Sequence, residues 1–153
     1  MPLRLSVVTQ ERTVLERDDV QRLIVPTLEG QITVLPMHAP LMAGLAVGEM
    51  VVVVPGGEIV LAIHGGFLQV ARDEVSVLAD AAEHAEEIDE ARAEAARQRA
   101  EARLTGAREP DLDVLRAQLA LQRALVRLRV RRRRGGTGVP SQGGTPVSPG
   151  APR

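Results

Sequence analysis

The chain has 153 residues, a formal net charge of −1 and a hydrophobic fraction of 44%. That is apolar matter for one domain with an appendage or two small units, and too balanced a charge to draw the whole chain to nucleic acid or a membrane. Cys, Lys and Tyr are all absent, which excludes disulfides, thiol ligands, a Walker A lysine, Schiff-base chemistry, a Cys nucleophile and a Tyr acid.

Residues 3–79 read as short strands at regular spacing. Residues 3–7 alternate, with Leu3, Leu5 and Val7 on one face. Residues 20–25 follow, then 31–35, where Pro36 stops the strand because it has no donor for the ladder. Residues 50–54 end at Pro55-Gly56-Gly57 and residues 58–63 return antiparallel. Residues 66–71 and 74–78 form a hairpin around Arg72-Asp73. Such a series predicts a β-sandwich or flattened barrel. Its core must be aliphatic, because Phe67 is the sole aromatic residue; alternation with Gln69 places Phe67 in that core.

Between Val75 and Ala93 the hydrophobic period changes from two to 3.6. The fold class is therefore α+β, an N-terminal β-sandwich (residues 1–84) followed by a C-terminal antiparallel helical hairpin (85–134). Helix one is expected over about residues 86–104, its start crowded by Glu86, Glu87, Asp89 and Glu90 at the positive end of the helix dipole. Thr105-Gly106 ends it. Helix two begins near Pro110 and runs to about Arg133. The inward positions of helix one are expected to be Ile88, Ala91, Ala95, Ala102 and Leu104. An alanine buries one methyl, about 0.8 kcal/mol, so such a helix suits either a static hairpin or one that detaches from its neighbours. Residues 135–153 are rich in Gly, Pro and Ser and are expected to be disordered. No apolar run approaches the ~20 residues needed to span a bilayer, and no export signal is evident. A cytosolic location follows as the default.

His38, His64 and His84 do not pair at metal-ligand spacing and are expected at the surface or in turns; no metal site is predicted. Ser6 and Ser76 lack an elbow motif, and no catalytic residue is assigned. The arginines carry more. Asp89, Arg92 and Arg99 recur at three and seven, on one helical face; Arg116, Arg123 and Arg127 recur at seven and four on the next helix. Converging guanidinium forks suit phosphate oxygens. On spacing alone, a solvated salt-bridge network is the plainer reading. The run from Arg131 to Arg134 lacks aromatic stacking partners, and no nucleic-acid partner is expected.

Over residues 3–133 the chain resembles the epsilon subunit of the rotary proton-translocating ATP synthase. The marks are Glu29-Gly30-Gln31, Leu35-Pro36-Met37-His38-Ala39-Pro40-Leu41, Gly65-Gly66-Phe67-Leu68-Gln69-Val70, and residues 75–80 followed by 85–93. The family often has Gly where Met37 stands, an acidic residue where Gln31 stands and a small one where His64 stands. The resemblance implies a noncatalytic central-stalk subunit, peripheral on the cytoplasmic face of the cell membrane without inserting into it. Its expected partners are the gamma subunit, the c-ring and the catalytic alpha and beta subunits. Glu29, Gln31, Met37 and His38 would meet the rotor ring, and Arg116, Arg123 and Arg127 the catalytic head. The hairpin would switch between a compact state and an extended state that inhibits ATP hydrolysis. Ile88-Asp89-Glu90-Ala91-Arg92-Ala93 matches the motif of family members that bind ATP in the compact state, with Glu83, Arg99, Arg123 and Arg127 at matching positions. ATP would then be a regulatory ligand, and no cofactor is required. The alternative is a free-standing ATP-binding regulatory module.

Overall fold

The computed structural model describes residues 1–106 and 111–133. Eight strands come first: β1 (Leu3–Val8), β2 (Thr13–Val20), β3 (Arg22–Thr27), β4 (Gly30–Val34), β5 (Leu41–Val54), β6 (Gly57–Ala71), β7 (Glu74–Ala79) and β8 (Ala82–His84). A 3-10 turn over Ala85–Glu87 leads into α1 (Glu90–Thr105) and α2 (Asp111–Arg133). The strands hydrogen-bond in the order β2-β1-β7-β6-β5-β3-β4, and β8 pairs with β6. The sheet folds over on itself as a β-sandwich, and the two helices form the expected hairpin. The Gly/Pro/Ser-rich tail lies outside the described residues.

Alternation explains most of the core. Leu3, Leu5 and Val7 of β1, Leu23 and Val25 of β3, and Val75 and Val77 of β7 are buried in one aliphatic cluster, as period two requires. Within β6 the inward parity changes. Ile59, Leu61 and Ile63 face the core before Gly65-Gly66, and Leu68 and Val70 face it after them. The two glycines have φ of 82° and 125°, a left-handed backbone that inserts one residue into the alternation. At this point β6 exchanges β8 for β7 as its partner. The shift corrects the expectation for Phe67. Its ring is 64% exposed on the outer face, and Leu68 takes the inward position.

Two further corrections concern strands. The single strand expected over residues 20–25 is two elements meeting at Gln21, and β2 was not anticipated. Its sequence carries Glu16, Arg17, Asp18 and Asp19 in succession, which hides its apolar alternation. Arg17 occupies an inward register opposite Leu5 and is only 6% exposed. Its Nε and Nη2 donate to the two oxygens of Asp19 at 2.8 and 2.6 Å, which holds that carboxyl below its ordinary range. The strand expected over residues 50–54 is also only the end of β5, which begins at Leu41 and runs through Gly44 and Gly48. The Leu28 side chain fills the space that a Cβ on Gly44 would need, 2.7 Å away.

The hairpin packs on the outside of the sandwich through a second, smaller cluster. Val60 and Ala62 of β6 meet Ala85, Ile88, Ala93, Val126, Leu128 and Val130, with Val47 alongside. Residues 59–64 of β6 are consequently buried on both faces. In α2, Ala117, Ala124 and Leu128 recur at helical spacing, as do Val126 and Val130, and all five are buried. The buried residues of α1 are Ala93 and Ala100. This corrects the inward face expected for helix one, because Ala91 and Ala102 are exposed and Ala95 is half-buried. Ile88 is extended (φ −81°, ψ 119°), ahead of the helix. Asp89 is the N-cap, accepting from the Arg92 amide at 3.1 Å. Counting the helical phase from Ile88 therefore selects the wrong residues.

Candidate functional site

The seam between hairpin and sandwich holds a cleft of about 420 Å³ lined by Glu83, Glu87, Asp89, Arg92, Arg99 and Arg127, with Ile88, Ala93 and Ala96 as its apolar surface. That lies in the lower part of the range of about 300–1,000 Å³ usual for small-molecule sites. Each wall comes from a different element. Glu83 stands on β8, Glu87 on the 3-10 turn, Arg92 and Arg99 on α1, and Arg127 on α2. The cleft exists because β8, paired with β6, holds Glu83 at the sheet beneath the hairpin and Asp89 sets the start of α1, so that residues three and ten positions later face the same opening.

The charges within the cleft are unequal in their partners. Glu83 Oε1 accepts from Arg127 Nε at 2.7 Å and contacts His64 Nε2 at 3.0 Å. Burial pushes the Glu83 carboxyl up, but the hydrogen bonds and charges of His64 and Arg127 outweigh it and hold the group below its ordinary value. Glu87 is paired with Arg12. The Asp89 carboxylate is occupied as the helix cap. Among the described residues, the guanidinium groups of Arg92 and Arg99 have neither a side-chain hydrogen bond nor an ion pair. Two unpaired forks face a cleft whose carboxylates are already engaged. Such an arrangement receives an anion with several acceptor oxygens.

Of the sequence-predicted ligand residues, the structure brings Glu83, Asp89, Arg92, Arg99 and Arg127 to this cleft. Arg123 is half-buried on α2, one turn before Arg127, and does not line it. Arg116 is exposed, whereas Arg127 is committed to Glu83 in this docked arrangement. Arg116, Arg123 and Arg127 thus have three different environments. Glu29 and Gln31 lie at the start of β4, and Met37 and His38 follow its end. Those pairs are separated by a five-residue strand, about 17 Å, along the edge of the sheet. Met37 is 91% exposed at φ 66°, with its amide donating to Asp73 Oδ1 at 2.6 Å. A left-handed backbone suits the Gly often found there in the resembling family. His64 and His84 correct the expectation of surface histidines. Both are buried, and His84 Nε2 hydrogen-bonds the Val14 carbonyl at 2.8 Å. Among the described residues, no three His, Cys, Asp or Glu side chains gather as metal ligands.

A larger and shallower hollow of about 520 Å³ lies over the outer face of β1, β2 and β7, bordered by Arg4, Glu16, Asp18 and Glu74. It is an open sheet surface without convergent unpaired forks. The outer face also carries an apolar stripe. Phe67 stands opposite Leu78 on one side and Gly44 on the other. Leu28 covers Gly44, and Met42 lies two residues along the same strand. Leu28, Met42, Phe67 and Leu78 are all more than 60% exposed (74%, 74%, 64% and 61%).

Residues 2–85 match the family described as the ATP synthase delta/epsilon chain β-sandwich domain, and residues 86–131 match its long α-helix domain. The ATP synthase epsilon chain of Herpetosiphon aurantiacus is 45% identical over 130 residues, covering 85% of this chain and 94% of the relative. That of Chloroflexus aggregans is 46% identical over 130 residues, covering 85% and 92%. A chain in the Euglena gracilis mitochondrial ATP synthase, in an OSCP/F1/c-ring structure, superposes with a TM-score of 0.70 at 26% identity, covering 79% of this chain and 76% of that one. A chain from the central stalk and c-ring of the Tetrahymena thermophila mitochondrial ATP synthase shares the fold, with a TM-score of 0.53 at 14% identity, covering 88% and 96%.

Proposed function

The chain belongs to the ATP synthase delta/epsilon family, and from that premise we propose that it is a noncatalytic central-stalk subunit whose hairpin is a nucleotide-sensitive regulator of the complex. The sandwich holds the rotor and contributes to coupling its rotation to proton flow. The hairpin docks on the sandwich in one state and leaves it in another to restrain ATP hydrolysis. The subunit works peripherally, at the cytoplasmic face of the membrane.

The observation that carries this reading is the position of the cleft. Its walls come from β8, α1 and α2, so it is complete only while the hairpin is docked. Any ligand that needs all three walls stabilises the docked state by mass action, about 2.7 kcal/mol at 100 times its dissociation constant. Two unpaired guanidinium groups make a nucleoside triphosphate a suitable ligand. ATP is thus a signal that binds without being consumed. The apolar stripe at Leu28, Met42, Phe67 and Leu78 favours a subunit held against a large partner over a free-standing module.

Calorimetric titration of ATP into the full chain tests the ligand. Arg92→Ala and Arg99→Ala are expected to weaken binding at least tenfold each, without hydrolysis of the nucleotide. Undiminished affinity in both variants would remove the cleft from consideration. Truncation before residue 86 tests the regulator. It is expected to release the host complex's ATP hydrolysis from inhibition while assembly persists. Unchanged inhibition refutes the hairpin's role.

A further inference from the structure

The loop between β1 and β2 places a residue beside the cleft without lining it. Thr9 clamps this loop from both sides, its amide donating to the Arg12 carbonyl at 2.9 Å and its hydroxyl oxygen accepting from the Arg12 amide at 3.3 Å. The Arg12 side chain then crosses to the 3-10 turn, where Nη2 meets Glu87 Oε2 at 2.5 Å. Among the described residues, Glu87 is the cleft carboxylate with no hydrogen bond or ion pair to α1 or α2. Glu83 is held by Arg127, and Asp89 caps α1. Without Arg12, Glu87 would present an unneutralised negative charge to the same opening that Arg92 and Arg99 make attractive to anions.

We propose that Arg12 is a positioning residue of the cleft, which sets its affinity for a nucleoside triphosphate by neutralising Glu87 and holding its carboxylate toward the sandwich. This rests on the nucleotide reading of the cleft. The hydrogen bond to Glu87 is also the main cause that raises the Arg12 guanidinium above its ordinary value, with Glu83 adding to the field. A half-exposed pair acts through solvent, so the expected effect is modest, about fivefold in Kd.

The test is a titration of ATP into the full chain in four forms, wild type, Arg12→Gln, Glu87→Gln and the double variant. Arg12→Gln is expected to weaken binding about fivefold. Glu87→Gln is expected to bind more tightly than wild type, because it removes a negative charge from the lining, and the double variant to match Glu87→Gln. The rescue is the discriminating result, because an ordering role of Arg12 on the loop would weaken binding in both backgrounds. Equal losses in both backgrounds, or no loss from Arg12→Gln in a wild type that binds ATP, overturn this inference alone. A wild type that takes up no ATP overturns the nucleotide reading and this inference with it.

Discussion

Gly66 marks the point where β6 changes partners, and a Cβ there would lie 2.1 Å from the Leu78 carbonyl oxygen and 2.7 Å from the Ala79 Cα. The obstacle is backbone, which cannot rotate away. At φ 125° the conformation also opposes any side chain. Gly66→Ala is expected to destabilise the sandwich by about 3 kcal/mol, measured by urea unfolding. A second residue-scale prediction concerns Glu83. Its carboxyl is held below its ordinary value of 4.5, so the folded state binds the proton more weakly than the unfolded state. Glu83 therefore contributes stability in full above about pH 4.5, and that contribution fades as pH falls through the lowered value. Hairpin docking, followed by hydrogen exchange of α2 amides, is expected to weaken along that acid limb. Glu83→Gln is expected to flatten the limb. Individual site residues were legible where helical spacing joins them, as with Asp89, Arg92 and Arg99. His64 and Arg12 were not, because their contacts with Glu83 and Glu87 span 19 and 75 residues of sequence.

At the scale of elements, the two helices differ in how they are held. α1 buries Ala93 and Ala100. α2 buries Val126, Leu128 and Val130 against the sheet and the turn before α1. Its last turn adds Arg133, which forks to Glu49 of β5 at 2.8 Å and Glu58 of β6 at 3.2 Å. Docking of the hairpin is therefore carried mainly by α2. Val126→Ala is expected to cost about 2 kcal/mol of docking, from two lost methyl equivalents and part of a cavity. The readout is faster exchange of α2 amides with unchanged exchange in β1 and β7. Equal acceleration in those strands would show that hairpin and sandwich unfold as one unit. Most strands were legible from alternation. β2 was hidden by four successive charged residues, and the phase of α1 was hidden by the extended Ile88, whose apolar side chain imitates the first helical contact. Neither feature follows from composition; both depend on what the segment packs against.

At the scale of the whole molecule, the described residues form two apolar centres of different character. The larger closes the sandwich, and the smaller fastens the hairpin to its outside. The order of a strand-rich segment followed by a helical one was readable from the change of hydrophobic period. The outward turn of Phe67 was not, because it depends on one inserted residue at Gly65-Gly66. With Leu28, Met42 and Leu78 it forms a surface suited to a partner subunit. Phe67→Ser is expected to leave thermal unfolding within a degree or two of wild type while lowering capture of the ATP synthase complex at least tenfold. Unaltered capture would move the contact elsewhere on the sandwich.

The double burial of residues 59–64 in β6 has one more consequence. Where the hairpin lies, the sheet's own contribution to the second cluster is Val60 and Ala62, with Val47 at its margin. A departing hairpin would uncover this small aliphatic footprint, containing no aromatic ring. Water can wet that patch of the sheet at little cost, so most of the apolar surface freed on opening would travel with the hairpin, on Ile88, Val126, Leu128 and Val130.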